Sequence, residues 1–120
     1  MENPFDFSHL FKTFSPLERQ ATFQVMNSIM IVDKDIDPRE KQAIGEISSL
    51  MGLTQYDIIA SRSLSKETMT KVIRAMPDEK RFLVARAMST IALSDGKVLN
   101  IEEAFVQYMA KELNLDREWF

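Results

Sequence analysis

The chain has 120 residues, 45% of them hydrophobic and 28% charged, and no cysteine. This is the make-up of one globular domain, spanning 1–120, that can bury a core unaided; disulfides, thiolate zinc sites and cysteine nucleophiles are excluded. Fifteen Lys and Arg against 18 Asp and Glu give a net charge of −3 with no basic cluster interleaved with aromatics, which argues against nucleic acid as a partner.

Three glycines, four prolines and the lack of sustained apolar alternation predict an all-α fold. Residues 1–14 hold Phe5, Phe7, Phe11 and Phe14. They read as an N-terminal arm or short helix lying over the core as a lid. Ser15, Pro16 and Glu18 form a capping box with proline at the first helical position. The helix they open runs to about Val32, with Leu17, Ala21, Val25, Ile29 and Val32 on one stripe. Asp37, Pro38 and Glu40 open a second helix, whose face is Ala43, Ile44, Ile47, Leu50 and Met51 and whose stop is Gly52. A short connection makes this pair an antiparallel hairpin. Thr54 with Asp57 starts a shorter helix through about Arg62, and Ser65 another through about Ala75.

Pro77, Asp78 and Glu79 open a fifth helix carrying Val84, Ala85, Met88, Ile91 and Ala92 inward until Asp95 and Gly96. Asn100 and Glu103 cap a sixth, with Ala104, Phe105, Tyr108, Met109 and Leu113 as its stripe. Trp119 and Phe120 are expected to pack back on the bundle. No stretch reaches the roughly 18 apolar residues a membrane-spanning helix needs, and residues 1–14 lack the form of a signal peptide. A cytoplasmic location is therefore expected.

An internal repeat ties these elements together. Residues 26–53 slide by 62 positions onto 88–115, matching Met26 with Met88, Ile29 with Ile91, Asp33 with Asp95, Glu40 with Glu102 and Leu53 with Leu115. Gly52 falls on Asn114, both tolerant of left-handed backbone, and Thr54 falls on Asp116, both able to cap a helix. The expected architecture is a compact bundle of six to seven helices built from two repeated αα-hairpins.

Each hairpin gathers carboxylates at its corner: Asp33, Asp35 and Glu40 in the first, Asp95, Glu102 and Glu103 in the second. Oxygen ligands without His or Cys suit a hard divalent cation, Ca²⁺ or Mg²⁺, and no organic cofactor is implied. The loop is not an EF-hand, because Pro38 stands where that motif needs its glycine and Ile44 where it needs its bidentate glutamate. Capping explains Asp37, Glu40, Asn100 and Glu103 without any ligand. It does not explain Asp33 and Asp95, which stand at helix C-termini, where the dipole disfavours negative charge.

The doubled pattern of an apolar helix, an Asp, a turn, an aliphatic residue and a Glu seven places after the Asp resembles the TerB-like proteins, known from tellurite-resistance clusters. The residues that carry it are Asp33, Ile36 and Glu40, then Asp95, Gly96, Val98 and Glu102, within roughly 16–116. Lys34 departs from the glycine usual after the first Asp, and Leu99 and Asn100 stand where the first copy has Asp37 and Pro38. The resemblance implies a compact fold of about seven helices, an acidic patch that takes divalent metal, and a role in stress response or membrane-linked complexes.

The only histidine, His9, lies far from the acids, so no nucleophile and base pair is legible and a non-enzymatic protein is expected. Among the eight methionines, Met26, Met51, Met88 and Met109 fall on core stripes, leaving Met30, Met69 and Met76 for an adaptable surface that a protein partner would use. A metal-free helical adaptor is the alternative to a cation-binding domain.

Overall fold

Helix starts are written into this chain as capping signals, and the computed structural model, which describes residues 8–32, 37–94 and 100–120, realises most of them. Helix α1 (Pro16–Ile31) opens behind Ser15, whose hydroxyl accepts from the Glu18 N–H at 3.2 Å while the Glu18 carboxylate accepts from the Ser15 N–H at 2.8 Å. Helix α2 (Pro38–Met51) is capped by Asp37. Helix α3 (Gln55–Ser61) starts at a second capping box, Thr54 with Asp57. Helix α4 (Lys66–Arg74) follows Ser65, which accepts from the Thr68 N–H at 3.0 Å. Helix α5 (Asp78–Leu93) begins after Pro77 without a side-chain cap, and α6 (Asn100–Glu112) takes in Asn100 as its first residue rather than its cap. A 3₁₀ helix at each end, Ser8–Thr13 and Arg117–Trp119, completes a fold that among the described residues is entirely helical.

The repeat shows in the backbone at the element starts. Pro16 and Asp78, Pro38 and Asn100, and Gln55 and Arg117 each start an element and are each separated by 62 positions. Both hairpins end in the same closing turn. Gly52 (φ 71°) and Asn114 (φ 59°) are left-handed. Leu53 N–H donates to Ser48 O at 2.9 Å, and Leu115 N–H donates to Ala110 O at 2.8 Å. Six-to-one bonds of this kind satisfy the last carbonyls of a helix.

Buried positions repeat as well. Ala21, Val25, Met26 and Ile29 of α1 correspond to Leu83, Ala87, Met88 and Ile91 of α5, and Ile44, Ile47 and Met51 of α2 to Val106, Met109 and Leu113 of α6, all in the core. Helix α1 is the hub, packing against all five other helices, while α5 packs against α1, α2 and α6. A radius of gyration of 13.4 Å matches the roughly 13.6 Å of a compact chain this long.

Several expectations are corrected. Leu17 and Leu50 lie in terminal turns and are exposed. Ala104 and Tyr108 of α6 face solvent; the buried face keeps Met109 and Leu113 as expected and adds Val106 and Ala110. Met30, Met69 and Met76 are buried core residues and offer no methionine surface. Phe11 and Phe14 do close over the core, Trp119 and Phe120 pack against it, and Phe5 and Phe7 lie outside the described residues.

Candidate functional site

The first acidic corner begins where α1 stops at Ile31, with Val32 N–H on Ile29 O at 3.4 Å. Asp33, Lys34, Asp35 and Ile36 lie outside the described residues. At the start of α2, the Asp37 carboxylate accepts from the Arg39 N–H at 2.7 Å and from the Arg39 guanidinium at 3.2 and 3.1 Å, so it works as a cap clamped by a local cation.

Glu40 does not reach back to close a capping box. It is 0% exposed, on the same face of α2 as Ala43, Ile44, Ile47 and Met51, and it takes part in an interaction inside the protein. A carboxylate so placed costs several kcal/mol to keep charged unless dipoles or a cation compensate it.

The second corner begins after α5, where the Ser94 hydroxyl donates to Ile91 O at 2.8 Å; Asp95 and residues 96–99 lie outside the described residues. Glu102 stands in the first turn of α6, at the position equivalent to Glu40, four before Val106 and seven before Met109, and its side chain is outside the described ones. Glu103 is exposed on the outer side of α6, accepts from Gln107 Nε2 at 3.5 Å, and lines an open groove. Glu103 thus lies on the solvent side of its helix, whereas Glu40 lies on the core side of its own. Among the described residues no group of three or more His, Cys, Asp or Glu is placed to hold a metal ion, and His9 is exposed in the N-terminal 3₁₀ helix.

A polar cluster that sequence reasoning missed joins α1 to α3. Asp57, 1% exposed, accepts from Arg19 Nε at 3.0 Å, Gln20 Nε2 at 3.1 Å and the Thr54 N–H at 3.1 Å. Burial pushes its pKa up, but the bonds from Gln20, Thr54 and Arg19 and the guanidinium charge together hold it below an ordinary aspartate's. The three positions recur in the second copy as Arg81, Phe82 and Trp119. There the Arg81 guanidinium lies 5.7 Å from the Trp119 ring centroid, and Phe82 meets that ring edge-on at 6.2 Å. The same joint is therefore polar in one copy and aromatic in the other. Arg19 and Gln20 lie 38 and 37 residues before Asp57, with no local pattern that announces the pairing.

These features define a doubled helical-hairpin domain with an acid in the first turn of each second helix. The family model described as Tellurite resistance protein TerB matches residues 60–120, just over half the chain, and the chain belongs to that family. The matched stretch runs from the end of α3 through the C-terminal 3₁₀ helix and includes the whole second corner. Searches of curated proteins and of solved structures find no match. No helix among the described residues is long and apolar enough to cross a membrane.

Proposed function

We propose that this TerB-family domain is a non-enzymatic cation-responsive module, in which Asp33, Asp35 and Glu40 of the first corner and Asp95 and Glu102 of the second offer oxygen ligands to Ca²⁺ or Mg²⁺. The observation that carries this reading is the full burial of Glu40 in the first turn of α2, a sequence position that Glu102 occupies in the second copy. A buried carboxylate beside further acids gains from a divalent charge what it loses in hydration, and an all-oxygen set suits a hard ion. Glu103, turned to solvent, adds negative field at the corner rather than a direct bond. A link to stress response, in a soluble cytoplasmic setting and through a protein complex, is the physiological form this reading takes.

Titration with Ca²⁺ and with Mg²⁺, read by thermal unfolding, tests it. At an ion concentration 100-fold above Kd, linkage adds about 2.7 kcal/mol, a rise of roughly 10 °C for a domain this size. Asp33→Asn combined with Asp95→Asn is expected to remove the rise. An unchanged melting temperature at millimolar ion favours the metal-free adaptor instead, with Glu40 serving as an internal polar anchor.

A further inference from the structure

The open groove of about 1030 Å³ that Glu103 borders runs between α5, α6 and the C-terminal 3₁₀ helix. Leu93 (57% exposed) and Tyr108 (48%) flank it, and Ala92, Ala104, Leu115 and Phe120 continue its apolar lining. Isolated exposed apolar side chains need no explanation, whereas a contiguous stripe does.

The repeat supplies an internal control. On α2 the positions equivalent to Ala104 and Tyr108 are Gln42 and Glu46, so a helix with the same place in its hairpin is built with polar side chains there. The fold therefore does not require the apolar face of α6.

Charge says what covers it. Glu103 stands near the start of α6, and Lys111 and Arg117 toward and beyond its end, with Ala104, Gln107 and Tyr108 between and the Tyr108 hydroxyl accepting from Lys66 Nζ at 3.1 Å. A helix presents partial positive charge at its N-terminus and negative at its C-terminus, so one laid parallel to α6 meets opposite charge at both ends. From Glu103 to its end at Glu112 α6 rises about 14 Å, between two and three turns, and the lining continues beyond it to Arg117.

We propose that this groove receives an amphipathic helix of a protein partner, about three turns long, running parallel to α6 with its N-terminal end at Glu103 and an acidic last turn at Lys111 and Arg117. Its apolar residues fall at i, i+4 and i+7 against Leu93, Tyr108 and Phe120. Of the residues at this surface only Glu103 also belongs to an acidic corner.

The test uses two synthetic helical peptides with the same apolar stripe, one carrying Lys in its first turn and Glu in its last, the other with these charges exchanged. Binding to the full chain is followed by fluorescence anisotropy and by shifts of backbone amide resonances. The first peptide is expected to bind at least about tenfold more tightly and to shift residues 93, 104, 108 and 120. The exchanged peptide is the better helix former in isolation, so its weaker binding cannot come from lost helicity.

Ala104→Gln with Tyr108→Glu, which copies α2, is expected to keep the fold and abolish binding; Leu93→Asn provides a second disruption should that pair fail to fold. Glu103→Lys is expected to reverse the preference between peptides. No binding at millimolar peptide, equal binding of both peptides, or binding that survives these substitutions overturns the proposal. So does a concentration-dependent dimer of the chain that Ala104→Gln with Tyr108→Glu dissolves.

Discussion

Two buried carboxylates show how differently one chemical group can be used in one small protein. Asp57 has its oxygens filled by Arg19, Gln20 and the Thr54 N–H, and its role is to bolt α3 onto α1. Asp57→Asn keeps the shape but gives up the charge, leaving the four-fifths-covered Arg19 without its counter-ion; a loss of about 2–3 kcal/mol is expected from denaturant unfolding. Its pH dependence has a definite sign. Because the folded pKa lies below that of the unfolded chain, the stabilisation is fully present above an ordinary aspartate's pKa and is lost as pH falls through the lower folded value. Acidification through that window should therefore destabilise the native protein more steeply than Asp57→Asn, measured as unfolding free energy at successive pH values. Glu18, whose pKa burial raises but Lys80 and Ser15 lower further, contributes in the same direction and keeps the variant's slope from vanishing. Glu40 is the contrasting case, buried among the apolar side chains of α2 at a position where the capping rule expected it to turn outward. The letters around it are those of a helix start, and nothing local distinguishes a glutamate that caps from one that faces the core.

Helix boundaries were legible because capping is short-range chemistry: Ser15, Asp37, Thr54 and Ser65 each accept a hydrogen bond from an N–H two or three residues on. Helix faces were less so. The apolar spacing of α6 takes in Ala104 and Tyr108, which face solvent, because an apolar groove lining and a core face have the same spacing in sequence. Register with α2 held the better answer, since Ile44, Ile47 and Met51 project onto Val106, Met109 and Leu113. Two glycines of α2 give a prediction at this scale. Gly45 lies within the helix with nothing within 4 Å of an added Cβ, so Gly45→Ala should raise stability by about 0.5–1 kcal/mol through reduced unfolded-state entropy and better helix propensity. Gly52 has equal space but a φ of 71°, and Gly52→Ala should instead cost about 1 kcal/mol, because an L side chain crowds the following carbonyl there. Chemical denaturation of the two variants side by side should give shifts of opposite sign despite identical chemistry.

At the scale of the whole molecule, the repeat explains why the fold is readable from one sequence, while Asp33, Asp35 and Asp95, on which the convergence of the acids turns, lie outside the described residues. Starts, stops and core positions recur at 62 residues, and each is fixed by local chemistry or periodicity; contacts between the copies are fixed by neither. One such contact marks where the copies meet. Glu18 and Lys80 occupy equivalent positions 62 apart, and their side chains meet at 2.7 Å. Two acids at these equivalent positions would repel, and the opposite charges of Glu18 and Lys80 make the contact between the copies an ion pair instead. Lys80 also donates to Thr13 O at 3.1 Å and lies 5.5 Å from the centre of the Phe14 ring, tying the N-terminal lid to the joint between α1 and α5. Lys80→Met should remove the pair and cost about 1 kcal/mol, the upper range for a partly covered ion pair. Lys80→Glu restores the like-charged pair of a perfect repeat and should cost roughly 2 kcal/mol, with increased proteolysis near Phe11 and Phe14 as the lid loosens. Adding Glu18→Lys to Lys80→Glu recreates an opposite pair but removes the capping bond to the Ser15 N–H, so the double variant should recover only part of the loss. Full additivity of the two substitutions, measured by denaturant unfolding, would show that no charge coupling crosses the joint.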